Sequence, residues 1–168
     1  AKQLYEITKK NITGWLEQDY SFWNGFELNY RGIKPKILIE PLMREDIDIN
    51  SEELNIYCFN GAAKIAVKFL KNNKMCVWDE NYKLINEIFI IKEKEEIKVD
   101  ENVIKACELS KELSCEFSFV RIDWLIYKKK LYFNEMTFTP YSGFMKFDTR
   151  KNNIKLGEML NLKGKENE

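Results

Sequence analysis

The feature that most constrains the fold of this chain is the stretch VRIDWLIYKKKLYFNEMTFTP, residues 120–140, which has the alternation of two β-strands joined by a lysine turn. Side chains alternate between the two faces of a strand. One face of the first strand therefore carries Arg121, Asp123, Leu125 and Tyr127, and its other face carries Ile122, Trp124 and Ile126. One face of the second strand carries Leu131, Phe133, Glu135, Thr137 and Thr139. The fold has to accommodate a hairpin with charged side chains on both arms.

The length of the turn decides which of these side chains face each other. A loop of three residues, Lys128–Lys130, would fix the register of the hairpin. The pairs it predicts are Tyr127 with Leu131, Leu125 with Phe133, Asp123 with Glu135, and Arg121 with Thr137. Like charges directly opposite each other destabilise a sheet. We therefore expect something to compensate the charges of Asp123 and Glu135.

The rest of the chain supplies further strands and two helices. Residues 1–20 carry apolar side chains at helical spacing, and residues 101–115 predict an amphipathic helix with Asp100 as its N-cap. LNIYCFN and AAKIAVKFLK predict a hairpin around Asn60-Gly61, and KILIEPLM reads as a strand. This order of strands, helix and strands predicts an α+β fold with a largely antiparallel sheet.

The length of 168 residues is that of one domain or of part of a larger one. We expect a helix and an aromatic connecting segment over residues 1–36, a compact subdomain over residues 37–160 and a disordered tail over residues 161–168. The abrupt opening of the chain predicts that it is a piece of a longer protein.

Composition excludes several classes of site. Lys+Arg and Asp+Glu number 27 each, so the zero net charge gives no support to a nucleic-acid partner. The absence of histidine excludes a Ser-His-Asp triad, a Cys-His dyad and an imidazole zinc site. The four cysteines lack CxxC spacing and are expected to be buried reduced thiols, as in a reducing cytoplasm. No apolar run approaches the roughly 20 residues of a membrane span, and no signal peptide is recognised.

Two carboxylates and an arginine on one sheet face suit a hard divalent cation with oxygen ligands. Mg²⁺ commonly needs only one or two carboxylates, which Asp123 and Glu135 would supply, and Thr137 could add a hydroxyl oxygen. Arg121 could then steady charge on a transferring phosphoryl group. Two alternatives remain open from the spacing alone: an ion cluster on a solvent-facing sheet, and a glycosidase pair of carboxylates.

The same hairpin resembles the C-terminal hairpin of the ATP-grasp superfamily, in which Arg-x-Asp, a short turn and Glu-x-Asn precede a proline and a glycine. More narrowly, the chain resembles the TupA-like ATP-grasp family, which is associated with teichuronopeptide and other bacterial surface-polymer synthesis. The segments that carry this resemblance are GIKPKILIEPLM, YCFNGAAKI, VWDENYKL, FSFVRIDW and YFNEMTFTPYSGF, followed by a late LG. The resemblance implies an ATP-grasp-like α+β fold with helices flanking the sheet.

The resemblance also implies residue roles. Asp123 and Glu135 would bind Mg²⁺, with Thr137 where many superfamily members have asparagine, and Arg121 would contact the γ-phosphate or the acyl-phosphate. The further nucleotide contacts it implies are the hinge from Glu40 to Leu42, which receives adenine, and Lys64 and Lys68, which could reach phosphates. The family tends to have a lysine where this chain has Asn55, and the upstream glycine-rich loop and lysine are not found.

The function implied is ATP- and Mg²⁺-dependent activation of a carboxylate as an acyl-phosphate, which an amine or a hydroxyl then attacks. The substrate would be a sugar acid or an amino acid in cell-surface polysaccharide or teichuronopeptide synthesis, and the chain would be the C-terminal portion of the enzyme. Two alternatives stay open: a glycosyltransferase-like protein of polysaccharide synthesis, and a non-catalytic nucleotide-binding module.

Overall fold

The computed structural model describes residues 2–23, 25–40, 52–70, 74–85 and 96–161. The chain divides into two units, of which the smaller comprises Ala1–Leu42 and Tyr141–Phe144 and the larger Met43–Pro140 and Met145–Glu168. None of the helices in the described ranges combines the length and the apolar character that crossing a membrane requires.

The smaller unit contains two helices, α1 (Lys2–Glu17) and α2 (Tyr20–Trp23), and a 3₁₀ turn at Leu28–Tyr30. The predicted helix over residues 1–20 therefore ends three residues early. Asp19 directly precedes α2. Its Oδ1 accepts hydrogen bonds from the backbone nitrogen and the hydroxyl of Ser21, at 3.0 and 2.6 Å, and so favours the start of a new helix there. Residues 36–40 have no strand conformation, so the prediction of a strand there is wrong for its described part.

The larger unit is built on one antiparallel sheet of five strands with spatial order β3-β2-β1-β4-β5. Its strands are β1 (Glu52–Phe59), β2 (Ala62–Phe69), β3 (Met75–Asp79), β4 (Phe119–Tyr127) and β5 (Lys130–Thr137). The described part of this unit also contains helices α3 (Glu101–Ser114) and α4 (Arg150–Glu158). The α+β class and the antiparallel sheet are confirmed.

Each face of the sheet has its own apolar cluster. The face that packs on α3, here the α3 face, carries Leu54, Ile56, Ile122, Trp124 and Ile126, together with Val103 and Ala106 of the helix. The opposite face, here the α4 face, carries Tyr57, Phe59, Ile65, Val67 and Val77, together with Leu156 of α4. Because both faces are covered over much of their area, a charged side chain in the middle of the sheet is largely withdrawn from water.

The N-cap of α3 is the predicted one. The Oδ1 atom of Asp100 accepts hydrogen bonds from the backbone nitrogens of Asn102 and Val103, at 2.9 and 3.1 Å. Three of the four cysteines are buried free thiols, as expected, whereas Cys115 at the end of α3 is exposed.

The two hairpins differ in how well the sequence predicts them. Asn60 and Gly61 form the predicted turn between β1 and β2, and both have positive φ, 50° and 76°. The turn between β4 and β5 has two residues, Lys128 and Lys129, also with positive φ, so the predicted three-residue loop is wrong. With two residues in the turn, Tyr127 pairs with Lys130 and not with Leu131.

A β-bulge at Asn134 restores the predicted register in the other half of this hairpin. Trp124 pairs with Phe133, whereas Asp123 pairs with Glu135, so Asn134 is the extra residue. The predicted pairs of Asp123 with Glu135 and of Arg121 with Thr137 are therefore confirmed.

The bulge also changes which residues of β5 share a face. Leu131 packs against the cluster of the α3 face, and the ring of Phe133 contacts that of Trp124 edge-on, with centroids 5.9 Å apart. Our prediction that Leu131 and Phe133 share a face with Glu135 is wrong, because a bulge interrupts the alternation on which it depends. Leu125 pairs with Tyr132 and not, as predicted, with Phe133.

Candidate functional site

The candidate site lies on the α4 face, where three adjacent strands place polar side chains in two cross-strand rows. The first row runs from Asn55 through Asp123 to Glu135, and the second from Tyr57 through Arg121 to Thr137. Each row takes one residue from β1, one from β4 and one from β5. The site is thus fixed by the backbone pairing of three adjacent strands, which holds its side chains more rigidly than a loop would.

Arg121 connects the side chains of the site. Its Nε donates to Asp123 Oδ1 at 2.8 Å and its Nη2 donates to Asp123 Oδ2 at 2.6 Å, which makes a bidentate pair. The same Nη2 donates to Thr137 Oγ1 at 3.2 Å and lies 3.6 Å from Glu135 Oε1. The guanidinium also hydrogen-bonds the Tyr57 side chain, which must be the acceptor because arginine has only donors.

Asn55 joins the site from the central strand β1. It is buried, and with its amide assigned so that Nδ2 faces the carboxylates it donates to Asp123 Oδ1 at 3.2 Å and to Glu53 Oε1 at 3.1 Å. Asp123 therefore accepts hydrogen bonds from two sides, from Arg121 on its own strand and from Asn55 across the ladder. Asn55 and Tyr57 extend the site beyond the hairpin on which the sequence placed it.

The two carboxylates have different environments. Asp123 is 1% exposed, whereas the side chain of Glu135 is 58% exposed and accepts a hydrogen bond from Thr137 Oγ1 at 3.0 Å. Burial raises the pKa of Asp123 to about 6; the Arg121 guanidinium opposes this shift and the nearby Glu135 adds to it. Burial would lower the pKa of Arg121, but the hydrogen bonds and charge of Asp123 outweigh it and raise that pKa.

The oxygen atoms of this face suit a magnesium ion. The donor set is two carboxylates and a hydroxyl, all hard oxygens, from Asp123, Glu135 and Thr137. Within the described ranges, no three His, Cys, Asp or Glu side chains come together as a metal cluster. A cation bound here would thus take its other ligands from water or from a ligand's phosphates, which is how Mg²⁺ usually binds.

Lys68 lies away from this site. It is 5% exposed, pairs across the ladder with Leu54 on the α3 face, and its Nζ lies 2.6 Å from Asp100 Oδ2 and 2.8 Å from Glu52 Oε2. Burial would lower the pKa of Lys68, but the hydrogen bonds and charges of Asp100 and Glu52 raise it. Lys68 therefore binds the N-terminus of α3 to the sheet, on the face opposite to Asp123.

Of the remaining predicted contacts, Lys64 is engaged elsewhere in the larger unit. Lys64 forms an ion pair with Glu80, at the turn that follows β3. Glu40 is exposed in the smaller unit, and Leu42 lies outside the described residues. A cleft of about 360 Å³ is lined by side chains that include Trp78, Tyr82 and Leu84, and no predicted site residue lines it.

Comparison with known proteins supports one assignment. A family model described as TupA-like ATPgrasp matches residues 2–161 of the chain. No curated protein and no solved structure matches it.

Proposed function

The chain belongs to the TupA-like ATP-grasp family, and we propose that it serves ATP- and Mg²⁺-dependent activation of a carboxylate as an acyl-phosphate. The observation that carries the proposal is the pair of cross-strand rows on the α4 face. They link two carboxylates, a hydroxyl and a guanidinium in one chain of hydrogen bonds, in which Arg121 donates to Asp123 and to Thr137, and Thr137 donates to Glu135.

Each side chain has a role in this proposal. Asp123 and Glu135 hold the cation from opposite strands, and the Thr137 hydroxyl supplies a further oxygen or orients Glu135. When bound, Mg²⁺ neutralises charge on the β- and γ-phosphates. Arg121 stabilises charge on the transferred phosphoryl group, because its planar guanidinium matches phosphate oxygens.

The reaction needs no protein nucleophile, which agrees with a chain that lacks histidine. An oxygen of the substrate carboxylate attacks the γ-phosphorus and ADP leaves. An amine or a hydroxyl then attacks the acyl carbon, and inorganic phosphate leaves. The substrate class we propose is a sugar acid or an amino acid, in cytoplasmic steps of bacterial surface polysaccharide or teichuronopeptide synthesis.

The test is ligand-dependent thermal stability with Mg²⁺ and a non-hydrolysable ATP analogue. A ligand at about 100 times its Kd should add about 2.7 kcal/mol to the free energy of unfolding. The stabilisation should need both Mg²⁺ and the analogue, and it should vanish in the double variant Asp123→Asn, Glu135→Gln. The matched control is Glu112→Gln, which removes an exposed carboxylate of α3 outside the site and should respond like the unmodified chain.

Two other outcomes would argue against the proposal. Stabilisation by Mg²⁺ with a UDP-sugar, and none with the ATP analogue, would favour sugar transfer. Stabilisation that persists in the double variant would place the nucleotide away from the two carboxylates.

A further inference from the structure

The buried carboxylate of the proposed metal site, Asp123, is already paired with a positively charged side chain, Arg121. Asp123 Oδ2 accepts from Arg121 Nη2 at 2.6 Å, and Oδ1 accepts from both Arg121 Nε and Asn55 Nδ2. Each carboxylate oxygen has two lone pairs. One oxygen of Asp123 is thus saturated by protein donors, and the other has a single lone pair left.

A metal ion and the Arg121 guanidinium cannot both contact the Asp123 carboxylate favourably. A divalent cation at the free lone pair would lie beside the guanidinium on a carboxylate that is almost wholly excluded from water. Like charges repel most strongly where solvent does not screen them. Binding of the metal is therefore coupled to the position of Arg121.

The structure also shows where the guanidinium could go. Arg121 Nη2 donates to Thr137 and lies 3.6 Å from Glu135, which is the solvent-exposed end of the site. A rotation of the side chain toward that end would release Asp123 and keep the guanidinium among oxygen acceptors. Phosphate oxygens of a nucleotide held by Glu135 would add to those acceptors.

We propose that Arg121 is the internal counter-ion of the metal-free site and a competitor of Mg²⁺ for Asp123. It neutralises the buried carboxylate in the absence of metal and leaves it when Mg²⁺ and nucleotide bind, so that the guanidinium becomes free to contact phosphate. This inference rests on the proposed function, because it takes Asp123 as a metal ligand. The rival account is a static ion pair that stays closed whatever is bound.

The first experiment measures binding of Mg²⁺ alone by calorimetry, for the unmodified chain and for Arg121→Gln. Loss of Arg121 should lower thermal stability in EDTA, since it leaves Asp123 unpaired, and should lower the Kd for Mg²⁺ at least tenfold. Arg121→Lys keeps the charge but loses the bidentate contact, so its Kd should fall between the two. The matched control is Arg150→Gln, at the start of α4, which should change neither quantity.

A structural ion pair predicts a different pattern. If Arg121→Gln binds Mg²⁺ as tightly as the unmodified chain or more weakly, the competitor role is overturned, while Mg²⁺-dependent nucleotide binding by the unmodified chain would leave the proposed function standing. If the unmodified chain binds neither Mg²⁺ nor the ATP analogue, both proposals fail.

A second measurement uses the unmodified chain and so does not depend on the variants folding. In ¹⁵N spectra of the arginine side chains, Arg121 Nε–H should exchange slowly with water in EDTA, because it donates to a buried carboxylate. Addition of Mg²⁺ and the ATP analogue should shift this signal and speed its exchange, while the signals of Arg31 and Arg150 stay fixed. An unchanged Arg121 signal at saturation would show that the pair remains closed.

Discussion

At the scale of the residue, Asp123 sets the chemistry of the site. A carboxylate that is 1% exposed needs charged or hydrogen-bonding partners, because burial without them is strongly unfavourable. The sequence predicts Arg121 as one such partner and Glu135 as a like-charged neighbour, since both follow from strand parity and hairpin register. Strand parity and hairpin register cannot predict Asn55 or Tyr57 as members of the site, because they lie on a strand more than sixty residues away along the chain. Only the pairing of β1 with β4 brings them there.

The buried carboxylate predicts how stability depends on pH. The pKa of Asp123 rises from 3.8 to about 6 on folding, so the folded chain binds this proton more tightly than the unfolded chain. The free energy of unfolding in EDTA should therefore fall as the pH rises from about 4 to about 6, by roughly 3 kcal/mol in total, and then level off. Urea denaturation across this range measures the slope.

Two variants isolate this contribution from that of other acids. Asp123→Asn cannot titrate, so its stability should lack this part of the fall. Asp79→Asn should keep it, since Asp79 lies in a turn outside the site, where its Oδ1 accepts hydrogen bonds from the backbone nitrogens of Asn81 and Lys83, both at 2.9 Å. Equal slopes for the unmodified chain and Asp123→Asn would mean that Arg121 keeps Asp123 ionised throughout.

At the scale of the element, the β4–β5 hairpin shows where reasoning from sequence succeeds and fails. Asn60-Gly61 is correctly predicted as a turn because it favours positive φ at both positions. Three consecutive lysines carry no such preference, so the length of the second turn cannot be read from the chain. The two-residue turn and the bulge at Asn134 shift the register by one residue each, in opposite directions. The prediction for Asp123 and Glu135 is thus confirmed although its assumed turn is wrong.

The lysine turn predicts a stabilising substitution. Lys128 and Lys129 have φ of 49° and 61°, a left-handed conformation that costs non-glycine residues roughly 1–2 kcal/mol each. The double variant Lys128→Asn, Lys129→Gly should raise the free energy of unfolding by roughly 1–2 kcal/mol, because Asn-Gly adopts this turn readily. Loss of the contact between Lys128 Nζ and the Tyr127 ring, 5.4 Å apart, would offset part of the gain.

Urea denaturation at fixed pH measures this change. The control is Lys128→Gln, Lys129→Gln, which removes the same two charges and leaves the backbone preference almost unchanged, so it should show little gain. If both double variants were stabilised equally, charge repulsion among the lysines, and not backbone strain, would account for the effect.

At the scale of the whole molecule, the two units differ in how their apolar side chains are covered. The larger unit buries a cluster on each face of its sheet, under α3 on one side and α4 on the other. The smaller unit exposes large apolar side chains in α1 and beyond it, among them Trp15, Phe26 and Leu38. The strand–helix order of the sequence predicts the class of the larger unit. Amphipathic spacing in residues 1–20 predicts a helix but cannot tell what covers its apolar side.

This difference predicts that residues 43–168 fold without residues 1–42. The larger unit has a core of its own on both faces of its sheet, so its unfolding should remain cooperative, as expected for an autonomous domain. Its free energy of unfolding should lie within about 1 kcal/mol of that of the full chain, because both apolar clusters of its sheet are formed by residues of the larger unit. Urea denaturation followed by tryptophan fluorescence measures this, since Trp78 and Trp124 are buried in the larger unit.

A peptide of residues 1–42 should lack a cooperative transition, because a short segment with this much exposed apolar surface has little core to lose. A broad, non-cooperative transition of residues 43–168 would show instead that the sheet depends on the first 42 residues.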